Sequence, residues 1–256
     1  MKLLKRFILM IQFLTAIPVP LNLDVNNEDF GKGLVFAPVV GMILGGILAF
    51  AYYVLGFAFP NYINGAAVVI IYIMLTGGLH LDGFGDTFDG LFSNRPKERK
   101  LEIMRDSRVG TNAVLAVYSI LTIDILMLTA IGDNNALPVI ILMPVAGRIG
   151  SLVSAGVSTY ARSTEGLGKS FIDYCGLREI LTGLLISVPL FWIAGGLKYL
   201  LLLPLPVISA IIIVKFFSRK IGGATGDILG AVCELNQTVF LIGAYLLAWG
   251  QDIICF

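Results

Sequence analysis

Charged residues are scarce in this chain of 256 residues. Asp, Glu, Lys and Arg together make up 14% of it, against roughly 25% in soluble globular domains, while 57% of the residues are hydrophobic. A net charge of +1 excludes the basic surface typical of a nucleic-acid-binding protein, so no nucleic-acid partner is expected. The composition favours one membrane-embedded domain over residues 1–256, with the lipid bilayer as its surroundings.

Cysteine is also scarce. Cys175, Cys233 and Cys255 lie far apart, at no spacing typical of a disulfide framework, a zinc site or a redox motif. The sequence contains neither a nucleophile elbow nor a Walker loop. These common routes to catalysis are excluded, and any chemistry has to come from carboxylates and basic side chains.

Long apolar runs separate the few charges. A run of about 20 apolar residues can cross the hydrocarbon core of a bilayer. About seven runs approach this length, at 34–59, 62–79, 109–131, 136–158, 180–194, 199–217 and 239–254. We predict an all-α polytopic membrane protein with about seven transmembrane helices.

The basic residues predict the orientation, because Lys and Arg concentrate in short cytoplasmic loops. With a cytoplasmic N-terminus, all but two of the 18 Lys and Arg fall on the cytoplasmic side, the exceptions being Lys198 and Arg148. The first apolar run is broken by Pro18 and Pro20, which disfavour a helix interior. We therefore interpret residues 1–33 as an N-terminal interfacial or re-entrant segment.

Three aspartates occur close together in the segment GGLHLDGFGDTFDG at 77–90. On a helix, Asp82, Asp86 and Asp89 fall within roughly 60° of one another. Carboxylates this close repel each other unless a cation lies between them, and oxygen ligands suit Mg²⁺. The pattern predicts Mg²⁺ ligands; the alternative is a solvated acidic helix face.

A basic stretch at 95–110 follows the aspartates. Most of its positive charge is typical of a cytoplasmic loop. Arg105, Asp106 and Arg108 form a tighter mixed cluster, and Arg can bind phosphate oxygens in a bidentate manner. We predict a substrate clamp here, within a cytoplasmic active-site element at 77–110.

A further polar stretch, at 218–237, contains Asp227 and Glu234, which are seven residues apart and share a helix face. Gly226 and Gly230 have the spacing of close helix packing in membranes. That packing leaves the two acidic residues unexplained, and they are candidates to complete a metal or base site.

Arg148 lies within an apolar run, where burial in lipid would cost about 3 kcal/mol at the bilayer centre. We expect it to point into an inward-open cavity. Arg162 and Lys169, in the third predicted active-site element at 159–178, are expected to join it as phosphate ligands. Asp124 is also intramembrane, but its position in its span argues against a direct pair with Arg148.

Clustered carboxylates facing Arg and Lys on one membrane side favour phosphoryl or nucleotidyl transfer. Such transfers depend mainly on positioning and charge neutralisation. The sequence leaves open which residue acts as base.

Five segments in order carry a resemblance to a known family: FLTAIPVP at 13–20, HLDGFGDTFDG at 80–90, LEIMRDSRVGTNAV at 101–114, YARSTEGLGKSF at 160–171 and GGATGDILGAVCEL at 222–235. Together they are similar to the blocks of the cobalamin synthase (adenosylcobinamide-GDP ribazoletransferase) family. The resemblance implies Mg²⁺-dependent attack of a ribose hydroxyl of alpha-ribazole, or of its 5'-phosphate, on the cobinamide-bound phosphate of adenosylcobinamide-GDP. GMP would leave, on the cytoplasmic side of the cell inner membrane.

Mapped onto this sequence, the resemblance implies metal or catalytic roles for Asp82, Asp86, Asp89 and Asp227, the last as a further ligand or as the base. Residues assigned to substrate binding are Arg105, Asp106, Arg108, Arg148, Arg162, Lys169 and Glu234. A homo-oligomer or association with other cobalamin-assembly enzymes stays open.

Two other interpretations remain. The DTFDG piece resembles the start of the CDP-alcohol phosphatidyltransferase motif, but the following Ala-Arg and the closing aspartate pair are absent after Gly90. An ion-coupled transporter using Asp124 and Arg148 would need polar residues on both membrane sides, whereas they cluster on one.

Overall fold

The computed structural model describes residues 2–131 and 133–254, apart from the side chains of residues 133, 134 and 250–254. Cys255 lies outside the described residues. Within these ranges the chain is helical, with no β-structure beyond one bridge between Tyr160 and Ala224. The helices are α1 (Lys2–Leu14), α2 (Asn27–Gly33), α3 (Ala37–Leu55), α4 (Asn61–Thr76), α5 (Leu79–Leu91), α6 (Lys97–Ile103), α7 (Thr111–Ala130), α8 (Asp133–Gly156), α9 (Leu167–Asp173), α10 (Leu177–Leu200), α11 (Pro204–Ile221) and α12 (Gly226–Ile254).

Five helical segments of the described chain are long and apolar enough to cross a membrane, and α4 with α5 makes a sixth if that bent pair counts as one span. The all-α prediction is confirmed. The segment around α12 differs from the predicted run, because its helix begins at Gly226 rather than near 239. The polar residues Glu234, Asn236, Gln237 and Thr238 belong to the same helix and are buried by its neighbours.

Helix α8 lies at the centre of the bundle and packs against α3, α10, α11 and α12. Its apolar side chains, such as Val145 and Ile149, are buried. Gly41 of α3 lies so close to α8 that an added Cβ would come within 2.7 Å of the Pro144 carbonyl oxygen, and Gly45 meets Ile141 in the same way. Small residues permit this close approach of helix backbones in membrane proteins.

The chain bends by 93° between α4 and α5. Gly77 and Gly78 both have positive φ, at 60° and 71°, a conformation that residues with a Cβ rarely adopt. The bend directs α5 against the first turns of α12, where a Cβ on Gly83 would lie 2.9 Å from Cα of Asp227. The glycines of the acidic segment therefore place its aspartates beside Asp227.

The N-terminal helix α1 ends at Leu14, before the two prolines. Its 13 residues span about 20 Å, too short for the hydrocarbon core. Lys5 and Arg6 pair with Asp29 at 2.5 and 2.9 Å. These cations dock α1 onto α2. The interfacial position of residues 1–33 stays a prediction.

The loops that precede or follow the long helices meet on one side of the bundle. Arg105 donates a hydrogen bond to Thr164, which joins the loop after α6 to the loop after α8. Ala161 N donates to Ala224 O at 2.9 Å and Ala224 N donates to Thr159 O at 2.8 Å, so the second loop is also fixed to the start of α12. The three predicted active-site elements therefore lie together.

Candidate active site

Two aspartates of α5 have free carboxylates. Asp82 is exposed and Asp86 is half-buried, and neither forms a hydrogen bond or ion pair with any described residue. Asp86 lies within electrostatic range of Asp82, Asp89 and Asp227. Residues one helical turn apart on one face come close together, which accounts for this crowding along α5.

Asp89 has a different environment from the other two aspartates of α5. Its Oδ2 accepts from Gly110 N at 2.6 Å and its Oδ1 accepts from Ala113 N at 2.9 Å. These are unpaired amides at the start of α7, which a carboxylate satisfies well. Asp89 thus caps α7 and fixes it to α5, while the predicted metal-ligand role stays a prediction.

Asp227 lies in the first turn of α12. Its Oδ2 accepts a hydrogen bond from Arg162 Nη2 at 3.0 Å and another from Thr225 Oγ1 at 3.1 Å. The loop carrying Arg162 is held in place by the bridge between Tyr160 and Ala224. Arg162, predicted as a phosphate ligand, lies beside the aspartates as expected and holds Asp227.

The chemistry of the donors suits a hard divalent cation. Four carboxylates act on one another here, and in the described part of the chain Arg162 is the cation paired with one of them. Asp82 and Asp86 have all their oxygen lone pairs available, and carboxylate oxygen is the ligand type that Mg²⁺ prefers. No three of these described carboxylates have ligand atoms within 4.8 Å of one another, so in this arrangement a cation would be held by one or two of them, with other oxygens completing its shell.

Among the described residues, three potential ligand atoms lie within 4.8 Å of one another at a single place, formed by His80, Cys233 and Glu234. Glu234 already accepts from Tyr72 Oη at 2.7 Å and from Gln237 Nε2 at 2.9 Å. With a guanidinium beside it as well, we interpret this group as a buried hydrogen-bond network rather than a cation site.

That guanidinium belongs to Arg148, which is 0% exposed. It donates to Tyr72 Oη at 3.0 Å and to Gln237 Oε1 at 3.3 Å. Tyr72 of α4 and Gln237 of α12 therefore form hydrogen bonds with both Arg148 and Glu234. The polar cluster compensates part of the cost of a buried charge, since Nε and Nη2 of Arg148 have no hydrogen-bond partner among the described residues.

The position of Arg148 differs from the expected one, since it lines neither of the two cavities described below. Glu234, expected to bind substrate, is buried with it. Asp124 accepts from Thr238 Oγ1 at 2.6 Å, in keeping with the absence of a direct pair with Arg148. A phosphate-binding role for Arg148 and Glu234 stays a prediction.

Two cavities adjoin at the aspartates. A compact cavity of about 260 Å³ is lined by His80, Asp82, Ser151 and Asp227 and otherwise by glycines and apolar side chains. A larger, open groove of about 970 Å³ is lined by Asp82 and Asp86 and runs beside α7. Asp82 lines both, as do Phe13 and Leu79, so molecules bound in the two spaces would approach each other beside Asp82.

The other predicted clamp residues lie at the rim of this region. Arg108 is 84% exposed and pairs with Asp106, Nε to Oδ1 2.9 Å, and this pairing lowers the pKa of Asp106 to about 2. Lys169 on α9 pairs with Glu165 at 2.5 Å, which raises the pKa of the Lys169 ammonium. Both basic groups stay charged and can exchange these partners for phosphate oxygens.

The sequence matches the family model described as cobalamin-5-phosphate synthase over residues 6–245. The chain belongs to that family. A relative from Clostridium acetobutylicum, named adenosylcobinamide-GDP ribazoletransferase, is 57% identical over 241 residues, covering 94% of this chain and 96% of the relative. A relative of the same name from Acetivibrio thermocellus is 57% identical over 246 residues, covering 96% and 99%.

A more distant relative of that name, from Clostridioides difficile, is 38% identical over 256 residues and covers 95% of this chain. No solved structure gives a significant match. The family assignment thus rests on sequence over nearly the whole chain.

Sequence reasoning missed several residues that shape this site. Tyr72 and Gln237 surround Arg148, yet Tyr72 is 162 residues from Glu234 in the chain. Phe13 and Phe171 line the compact cavity. Both lie in segments that resemble the family, and this resemblance was the one indication of a role for them. An aromatic residue in an apolar run does not by itself predict a binding site.

Proposed function

We propose that this protein transfers alpha-ribazole, or its 5'-phosphate, onto adenosylcobinamide-GDP, a late step in assembling the cobalamin nucleotide loop. The observation that carries the proposal is the meeting of two cavities at the free carboxylate of Asp82, in a chain of the cobalamin-5-phosphate synthase family. A reaction between two bulky substrates needs such a meeting point.

In the proposed reaction a ribose hydroxyl oxygen forms a bond to the phosphorus attached to cobinamide. The bond between that phosphorus and the GMP oxygen breaks, GMP leaves with the bonding electrons, and the hydroxyl proton is released. The charge on the phosphoryl oxygens spreads during such a transfer, so cations and positioning provide most of the catalysis.

Mg²⁺ is the proposed cofactor, and Asp82 and Asp86 would hold it, with Asp227 as a further ligand. Bound there, it would neutralise negative charge on the pyrophosphate. The support is the set of unpaired hard oxygen donors on α5. Asp89 would contribute by fixing α5 to the loop that connects α6 and α7.

Arg162, in the loop after α8, is proposed to orient Asp227 and to attract substrate phosphate, since its guanidinium donates to the Asp227 carboxylate. Arg105, Arg108 and Lys169 would bind the outer part of the pyrophosphate or a ribazole phosphate. Each is a cation at the rim of the site, and two of them hold only exposed partners.

For the membrane topology we propose seven crossings, by α3, α4, α7, α8, α10, α11 and α12, with a cytoplasmic N-terminus and the active site at the inner face of the cell membrane. Helix α11 carries three basic residues near its C-terminal end, which suits an inner end under the positive-inside rule. The same end lies beside the start of α12 and the aspartates.

The proposal is tested with purified protein in detergent or lipid, adenosylcobinamide-GDP, ribazole phosphate and Mg²⁺. We expect stoichiometric cobalamin phosphate and GMP, with neither formed when one substrate is omitted. GMP release without ribazole would indicate a hydrolase. No product from folded protein, together with headgroup transfer from CDP-diacylglycerol, would favour the lipid-transferase interpretation.

A further inference from the structure

We propose that the compact cavity binds the aromatic base of ribazole, while the open groove receives adenosylcobinamide-GDP. This assignment rests on the proposed function and specifies which substrate enters from which side. It makes Phe171 and Leu167 determinants of specificity for the base, while Phe13 borders both spaces.

The compact cavity is walled by aromatic rings from separate parts of the chain. Phe13 of α1 and Phe171 of α9 have ring centroids 4.9 Å apart, and Phe30 of α2 meets Phe171 edge-to-face at 5.7 Å. Phe13 and Phe171 line the cavity itself, next to Leu14 and Leu34. Aromatic rings arranged in this way favour a flat apolar aromatic guest.

The position of these rings is fixed by packing between short helices. A Cβ on Gly31 of α2 would lie 2.6 Å from Cβ of Tyr174, just after α9, so α2 and α9 touch at backbone distance. The pairing of Arg6 with Asp29 holds α1 against α2. The aromatic wall is thus preformed, which reduces the cost of ordering it on binding.

The lining of the cavity also includes polar side chains. Asp82, Asp227 and Ser151 border it, beside the predicted reaction centre. Ribazole has the matching polarity, since an apolar bicyclic base is joined to a ribose that carries the attacking hydroxyl. With the base against Phe171, the ribose would face the carboxylates of Asp82 and Asp227.

The open groove suits the other substrate. It is nearly four times as large as the compact cavity, at about 970 Å³ against about 260 Å³, and it is bordered by Asp82, Asp86 and apolar residues of α7 such as Val117. A corrinoid joined to a nucleoside diphosphate exceeds what the compact cavity encloses. Approach from two sides of Asp82 also suits transfer in which the attacking and departing oxygens are roughly in line.

The test measures KM separately for both substrates in three variants. Phe171→Leu removes the ring from the cavity wall. Leu167→Trp adds bulk at a wall residue that is 50% exposed, so folding is expected to tolerate it. Tyr118→Leu is the matched change in the groove, at a side chain that is 70% exposed.

We expect Phe171→Leu and Leu167→Trp to raise KM for ribazole phosphate by about five- to tenfold, with KM for adenosylcobinamide-GDP unchanged. Tyr118→Leu should show the opposite pattern. Ribosides of benzimidazole and of imidazole provide a second readout. The preference of the wild type for the two-ring base should shrink in Phe171→Leu, an effect that general loosening of the fold would not produce.

The assignment is overturned if the cavity variants raise KM for adenosylcobinamide-GDP instead, or if they leave both KM values and the base preference unchanged. In either case an active wild type would leave the transferase proposal intact. An inactive wild type would overturn the transferase proposal itself, so the two failures are distinguishable.

Discussion

Arg162 and Asp227 form the ion pair that joins the loop after α8 to the aspartate cluster, with Nη2 of Arg162 3.0 Å from Oδ2 of Asp227. The guanidinium is largely buried, and the bridge between Tyr160 and Ala224 fixes the loop that carries it. The pair therefore orients Asp227 in the wall of the compact cavity.

Replacing Arg162 by Lys keeps the positive charge but removes the planar guanidinium, which Lys does not replace at such a site. We expect kcat/KM to fall by about 10- to 100-fold, with little change in thermal stability. Arg99→Lys, at an exposed position where the guanidinium pairs with Glu102 and no substrate role is assigned, is the matched control and should change kcat/KM by no more than a few-fold. Equal effects of both variants would contradict the positioning role of Arg162.

Asp89→Asn should act through stability. An amide at this position can accept only one of the two backbone N–H bonds that the carboxylate accepts from Gly110 and Ala113. Leaving a donor unsatisfied costs about 1–3 kcal/mol, so we expect a lower unfolding midpoint in detergent. A variant with unchanged stability but no activity would instead support a direct metal-ligand role for Asp89.

Arg148→Met should also destabilise the protein, because it leaves Glu234 in a buried site without its nearby cation. Arg148 and Glu234 share Tyr72 and Gln237 as partners, and each buried group left unsatisfied by the change costs about 1–3 kcal/mol. Tyr72→Phe, which removes one hydroxyl from the same network, is expected to cost about 1–3 kcal/mol. Normal stability in Arg148→Met with a raised KM for the anionic substrate would support phosphate binding by Arg148.

The proposed topology is tested by single cysteines labelled with a membrane-impermeant maleimide in intact cells. Ala58→Cys lies in the exposed turn between α3 and α4, and Ser163→Cys lies in the exposed loop after α8. Native Cys175, Cys233 and Cys255 are first replaced by Ser, so that each variant carries one cysteine. We expect labelling of Ala58→Cys without lysis and of Ser163→Cys only after lysis. The reverse pattern would place the N-terminus outside.

Much of the fold could be predicted from the sequence because composition and the spacing of apolar runs report directly on membrane helices. The boundary of α12 was wrong for a physical reason. Asn236 and Gln237 lower the local hydropathy, yet both are buried, and Asn236 is satisfied by Ser209 and by the Pro206 carbonyl. A hydropathy pattern does not show that a polar side chain has a distant partner.

The candidate site could be predicted in part. The spacing of Asp82, Asp86 and Asp89 predicted a shared helical face, and the structure does form a helix there. The sequence treated the three carboxylates alike, however, because it does not show that Asp89 alone meets the backbone amides of Gly110 and Ala113 at the start of α7. Likewise, Phe13 and Phe171 are far apart in the sequence, and no local pattern predicts that their rings lie close together.

The most direct test of the central claim compares wild type with Asp82→Asn in single-turnover conversion of adenosylcobinamide-GDP and ribazole phosphate, with Mg²⁺ and with EDTA. Asp82 has no described hydrogen bond or ion pair to lose, so the variant should fold with wild-type stability. We expect activity that requires Mg²⁺ in the wild type and falls at least about 100-fold in Asp82→Asn. A folded Asp82→Asn that retains Mg²⁺-dependent activity would contradict the placement of the reaction centre at this carboxylate.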